Sequence, residues 1–276
     1  MSRSFLHGCA LAVGALVLAS CADTSPVHQA APPCCQTQLP TLHIEQGSGG
    51  ALLYIGTRHT ADPTDPQIEE IARLAREFRP TLVLNEGGNP PVSGLTARDD
   101  VVRSFGEMGF ARWIASQAKL PANSVDPEWA DEIAHVVSKH SPQVAKVFYA
   151  VRAVPGFRRN QDTASIEERV DRYLSVPRMA AVGGPPRTST ELAPLLLAMA
   201  PGPGDWREAT VEWTSPWEKL SVLNDVARTS TQFREEYMVR TIVEAVGNRE
   251  RVLVVTGRSH LEATRGAIES ALRRAH

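Results

Sequence analysis

Two short stretches of this chain carry the same chemistry at the same kind of place. Gly56-Thr57-Arg58-His59 follows an apolar run, Ala51 to Ile55, and Gly257-Arg258-Ser259-His260 follows another, Arg251 to Thr256. Each is a Gly-x-x-His at the carboxyl end of a strand-like segment, the edge where open α/β sheets bind ligands. Glycine there lets the chain turn sharply or approach a ligand closely. One such tetrapeptide is common by chance; two at strand ends, roughly 200 residues apart, are much less so. Glu86 closes a third apolar run, Thr81-Leu82-Val83-Leu84, beside Gly87-Gly88 and with no charged neighbour in sequence. Two imidazoles and a carboxylate suit a divalent transition metal, or an acid/base pair assisted by a carboxylate.

Elimination supports that choice of histidines. Of the 8 in the chain, His7, His28 and His43 precede the first strong strand and His276 is the last residue. His59, His135, His140 and His260 remain. Glu132-Ile133-Ala134-His135 has the i, i+3 spacing of a helical metal pair but lacks a second copy. Its neighbours Asp131 and Lys139 favour a solvated helix face instead. Adjacent Cys34 and Cys35 offer neither the spaced ligands of a metal site nor a disulfide framework.

Positioning such residues requires a sheet. Asp65-Pro66 reads as an N-cap followed by proline at the first helical position. Ile68, Ile71, Ala72, Ala75 and Phe78 then recur at helical spacing until Pro80. Strand, helix and second strand make a unit of the right length for a parallel crossover. The close of the chain repeats the idea: a helix over Gln232–Val246, the strand 251–256, and a terminal amphipathic helix marked by Leu261, Thr264, Ile268 and Leu272. The expected class is α/β, a mainly parallel central sheet flanked by helices. Between these ends, residues 90–228 predict a mostly helical insertion over one face. Helices are expected at 99–119, 127–140, 141–154 and 188–200, with breaks at Gly183-Gly184-Pro185-Pro186 and Pro201-Gly202-Pro203-Gly204. Trp206, Trp213 and Trp217 fall within it, as core or lid packing.

The amino-terminal segment is of another kind. Arg3, an apolar stretch from Phe5 to Leu18, and Leu18-Ala19-Ser20-Cys21 describe an export signal ending in a bacterial lipoprotein box. Residues 1–20 are thus expected to be a signal, with Cys21 the lipidated residue. Residues 21–41, rich in Pro, Ala, Ser, Thr and Gln, form a tether, and 42–276 the body. Membrane attachment through the lipid is expected, at the outer membrane in a Gram-negative host because Ala22 rather than Asp follows the cysteine. With 42% hydrophobic and 22% charged residues the chain is neither fibrous nor wholly disordered, and a net charge of −2 argues against a nucleic-acid partner.

The motifs resemble a known family. Leu-Tyr-Ile-Gly-Thr-Arg-His with Arg-Pro-Thr-Leu-Val-Leu-Asn-Glu is similar to the opening of the TraB/PrgY/Tiki superfamily. Arg234-x-x-x-Met238 and Val-Leu-Val-Val-Thr-Gly-Arg-Ser-His-Leu are similar to its end. The likeness covers roughly 50–88 and 230–272; related branches include erythromycin-esterase-like and ChaN-like proteins. It implies an active site of His59, Glu86, Arg234 and His260. The implied activity is a metal-assisted, peptidase- or esterase-like hydrolase, with His59, Glu86 and His260 as metal ligands. A ChaN-like lipoprotein holding haem or iron without catalysis is the alternative. Asn85 before the Glu and Glu235 after the Arg depart from the family pattern. Helical geometry favours Arg234 over Arg240: it borders the stripe of Met238, Ile242, Ala245 and Val246, whereas Arg240 lies four residues from both Glu236 and Glu244.

Overall fold

The computed structural model describes residues 39–92, 94–95, 97–159, 163–200 and 204–274. The expected signal, Cys21, Cys34 and Cys35 lie outside these residues. Five strands form one sheet: β1 (Thr41–Glu45), β2 (Ala51–Thr57), β3 (Leu82–Asn85), β4 (Ala122–Ser124) and β5 (Arg251–Gly257), in the order β1-β2-β5-β3-β4. β1 runs antiparallel to β2, and the other four are mutually parallel. The last strand is thus inserted between the two earliest parallel ones. Thr57 pairs with Gly257 and Asn85 with Val255, so the carboxyl ends of β2, β5 and β3 lie side by side.

Period-two alternation explains why β2 is buried along its whole length. Ala51, Leu53 and Ile55 point to one face with Leu253, Val255 and Val83. Leu52 and Tyr54 point to the other with Val252, Val254 and Leu84. The first face is covered by α1 (Pro66–Phe78) and α2 (Arg98–Gln117), the second by α8 (Val222–Gly247) and α9 (Arg258–Arg274). α1 begins as its sequence dictates: Asp65 accepts from the Gln67 N–H, Pro66 opens the helix, and Arg79 turns left-handed (φ 53°) just before Pro80.

The middle departs from expectation at its start. Residues 98–124 belong to the sheet layer, because Phe110, Ala111 and Ala115 on α2 pack against the strands and β4 adds an edge to β3. The separate helical body begins with α3 (Trp129–Lys139). It continues through α4 (Pro142–Arg159), α5 (Ile166–Ser175), α6 (Pro177–Ala180) and α7 (Ser189–Met199), around its own core of Phe148, Val151, Val170, Leu192 and Trp206. α5 carries a readable signal that the apolar pattern hides, a Ser165/Glu168 capping box. α8 starts ten residues before the expected Gln232 and is 26 residues long. Its first half (Leu223, Val226, Ala227) lies in the helical core, its second half (Met238, Ile242, Val246) in the sheet core. Among the described residues no helix is long and apolar enough to cross a membrane.

Candidate functional site

The carboxyl edge of the sheet gathers the chemistry. Glu86 follows β3 directly; its N–H donates to Val255 O (3.1 Å), which locks it into the ladder beside β5. Its side chain is 2% exposed, and both oxygens are engaged. Oε2 accepts the Gly257 N–H (2.8 Å); Oε1 accepts from Arg234 Nη2 (3.1 Å) and lies 3.4 Å from His260 Nε2. A Cβ on residue 257 would stand 3.2 Å from His59 Nε2 and 3.4 Å from Glu86 Oε2. The second motif therefore uses glycine because the first motif's imidazole and the carboxylate close over its backbone. His59, Glu86, Arg234 and His260 are thereby brought together.

The two imidazoles are not equivalent. His260 is not on a loop: α9 starts immediately after Gly257 and places it in the first turn, its side chain 3% exposed and its Nδ1 3.7 Å from Glu235 Oε1. His59, on the segment after β2, is 30% exposed. Its Nδ1 donates to Glu107 Oε1 (2.9 Å), an arrangement that fixes the tautomer and turns Nε2 inward as a base or ligand. Glu107 also accepts from the Thr57 hydroxyl (3.1 Å) and the Thr60 N–H (3.0 Å). It reaches this position because α2 breaks at Gly106 (φ 64°, ψ −162°), where a Cβ would meet Thr60 O at 2.8 Å. Sequence reasoning missed Glu107; the Phe105-Gly106-Glu107 triplet inside a helical stretch was the available signal.

Asp126 was missed as well. It follows β4, the short edge strand, and accepts from Arg234 Nε (3.0 Å) and Nη2 (2.8 Å) while its other oxygen receives the Gly87 N–H (2.8 Å). Arg234 is 6% exposed and joins two carboxylates, as expected for an arginine at the edge of a buried stripe. Arg240 is exposed and lies over the Tyr237 ring. Burial pushes Glu86 up, but His260, Arg234 and His59 outweigh it and hold the carboxyl well below its usual range. Burial likewise works against the Arg234 charge, and Asp126 and Glu86 prevail, so it stays protonated. Beneath His260, the Tyr54 hydroxyl bonds Thr256 Oγ1 (2.9 Å) and is pushed by burial to about 12.

The helical residues set aside earlier are partly buried, while Asp131 and Lys139 beside them are exposed. Glu132 accepts from Tyr149 (3.0 Å) and Ser230 (2.6 Å), and His135 stacks on Phe233 at 4.5 Å. His140 Nε2 meets Thr229 Oγ1 at 2.8 Å, and burial lowers its proton affinity. Trp206 is core, whereas Trp217 is exposed.

Two imidazoles and a carboxylate fit a divalent transition metal in donor chemistry, and the Glu107 contact orients His59 as metal-binding histidines are oriented. Among the described residues no three His, Cys, Asp or Glu side chains stand ready around one point, because Arg234 and Gly257 hold the Glu86 oxygens. What the arrangement offers without rearrangement is one accessible imidazole, one buried imidazole and an ionised carboxylate clamped between them. Comparison of the chain with protein-family models, curated proteins and solved structures returned no match.

Proposed function

We propose that this centre is the active site of a hydrolase of the TraB/Tiki type, acting on an ester or amide bond. The observation that supports it is the convergence of His59, Arg234 and His260 on one buried carboxylate, Glu86, from separate elements. His59 is the general base. Its Nδ1 proton is held by Glu107, so Nε2 takes the proton of a water whose oxygen bonds to the scissile carbonyl carbon. Arg234 supplies positive charge as negative charge develops on the carbonyl oxygen. The C–N or C–O bond then breaks, and the leaving atom takes a proton from an imidazolium. Glu86 holds His260 and Arg234 in register throughout. A divalent metal held by His59, Glu86 and His260 would take the His59 Nε2 lone pair and, in place of that base, polarise the carbonyl and acidify the attacking water. Lipidation at Cys21 and attachment of the body to a membrane belong to the same proposal.

The test is turnover of chromogenic esters and peptide amides by protein purified without chelator, with metal content and haem absorbance measured on the same sample. His59→Ala and His260→Ala should each lower turnover by about a hundredfold or more while thermal melting stays cooperative. Wild-type turnover matched by both variants overturns the reading. Stoichiometric haem with no turnover replaces it with the ChaN-like carrier.

A further inference from the structure

Beside His260 the sheet edge meets the helical body in a cavity of about 30 Å³, walled by Arg152 and Phe148 from α4, Trp217, Arg234 from α8, and Ser259 and His260 from α9. Arg152 is the unexplained wall. Its side chain is 19% exposed, and its closest carboxylate, Glu132 Oε1, is 3.9 Å away, beyond hydrogen-bond range. That oxygen is already taken by Tyr149 and Ser230. Among the described residues no hydrogen bond ends on the Arg152 guanidinium, which leans over the Phe148 ring at 5.8 Å. Ser259 Oγ is also buried without a hydrogen-bond partner. A guanidinium presents five donors in a fixed fork and accepts nothing. Such a group, left open toward a cavity beside a hydroxyl, is matched by a planar acceptor.

We infer that this cavity binds the free carboxylate of the substrate, with Arg152 as its principal ligand and Ser259 as a second donor. The inference rests on the hydrolase reading for what happens next to that carboxylate, and names the substrates of that centre: acyl amino acids or peptides cut close to a free carboxyl end. Three features select this class. The space is small, so a terminal group enters and the rest of the molecule stays outside. Glu235 lies in the cavity's wall, with Glu132 behind Arg152 and Glu86 behind Arg234; a second negative charge would be repelled, which favours a monoanion over phosphate. Trp217, 62% exposed, lies at the same wall and offers a surface for the part outside. His260 shares the cavity with Arg152, so the bound carboxylate lies beside the buried imidazole of the centre.

The experiment is a tryptophan-fluorescence titration of the full-length protein with N-acetylglycine, its neutral isostere N-acetylglycinamide, and inorganic phosphate. Wild type should prefer the carboxylate over the amide by about ten- to a hundredfold, the range of a lost charge-assisted pair. Arg152→Gln should bind the two alike, and Ser259→Ala should narrow the preference. If Arg152→Gln does not fold, Arg152→Lys carries the test and should keep a reduced preference. Equal binding of acid and amide by wild type, a preference undiminished in the Arg152 variant, or tighter binding of phosphate overturns the inference. A preference that stands while no ester or amide is hydrolysed overturns the catalytic reading and leaves the carboxylate site.

Discussion

The sheet edge and the helical body are stabilised by different kinds of interaction. At the edge, buried charge is tied to buried charge: Arg234 donates to both Glu86 and Asp126, and each carboxylate also accepts a backbone N–H, from Gly257 and Gly87 respectively. In the helical body the buried side chains are mostly apolar, with Phe148, Val151, Leu192 and Leu223 in one core. The first arrangement specifies geometry at a cost in desolvation; the second supplies stability and little geometry. Where they touch, along the Arg152 cavity, an apolar scaffold positions a charge that the charged edge does not neutralise.

Removing one partner from the charged cluster is the hardest test of that contrast. Arg234→Ala strands two carboxylates and should cost about 3–5 kcal/mol of stability along with activity. Arg240→Ala, on the exposed side of the same helix, should stay within about 0.5 kcal/mol. Denaturant midpoints measure both, and similar losses would mean the buried cluster is not special. In the apolar body, Leu223→Ala should cost about 2–5 kcal/mol by leaving a cavity. The melt should remain a single transition, since α8 runs through both cores; a biphasic melt would show the two regions folding apart.

A smaller effect separates them by pH. Because the Glu86 carboxyl is held below its ordinary value near 4.5, its stabilisation is complete above that pH and is lost as pH falls toward the depressed native value. Stability of the wild type should therefore fall on acidification below about pH 4.5 more steeply than that of Glu86→Gln, measured as denaturant midpoint against pH. Parallel curves would break the link between that carboxylate and the charged cluster.

What was legible in the sequence follows the same division. β2, α1, β3 and β5 announce themselves by short apolar runs, a proline-led cap and strand-end glycines, all local signals. The residues that complete the cluster do not. Glu107 comes into reach only through a mid-helix break at Gly106, and Asp126 only because the three-residue β4 pairs with β3. Neither long-range pairing nor a kink leaves a periodicity to read. The start of α8 was hidden for a related reason. Its first turns face a different core from its last ones, and the buried row between them is filled by Ser230 and Arg234, polar residues that interrupt the apolar pattern.

That double anchorage has a mechanical consequence. α8 is a rod about 39 Å long, anchored at one end in helices and at the other in the sheet, with Arg234 between the anchorages. The helical body cannot swing from the sheet as a rigid unit without bending this rod or tearing one set of its contacts. A torque on the body would act along α8 across Arg234, which bonds Glu86. For the same reason the helical body is not a detachable module: excising it would leave half of α8 without a counterpart and the arginine without a fixed bearing.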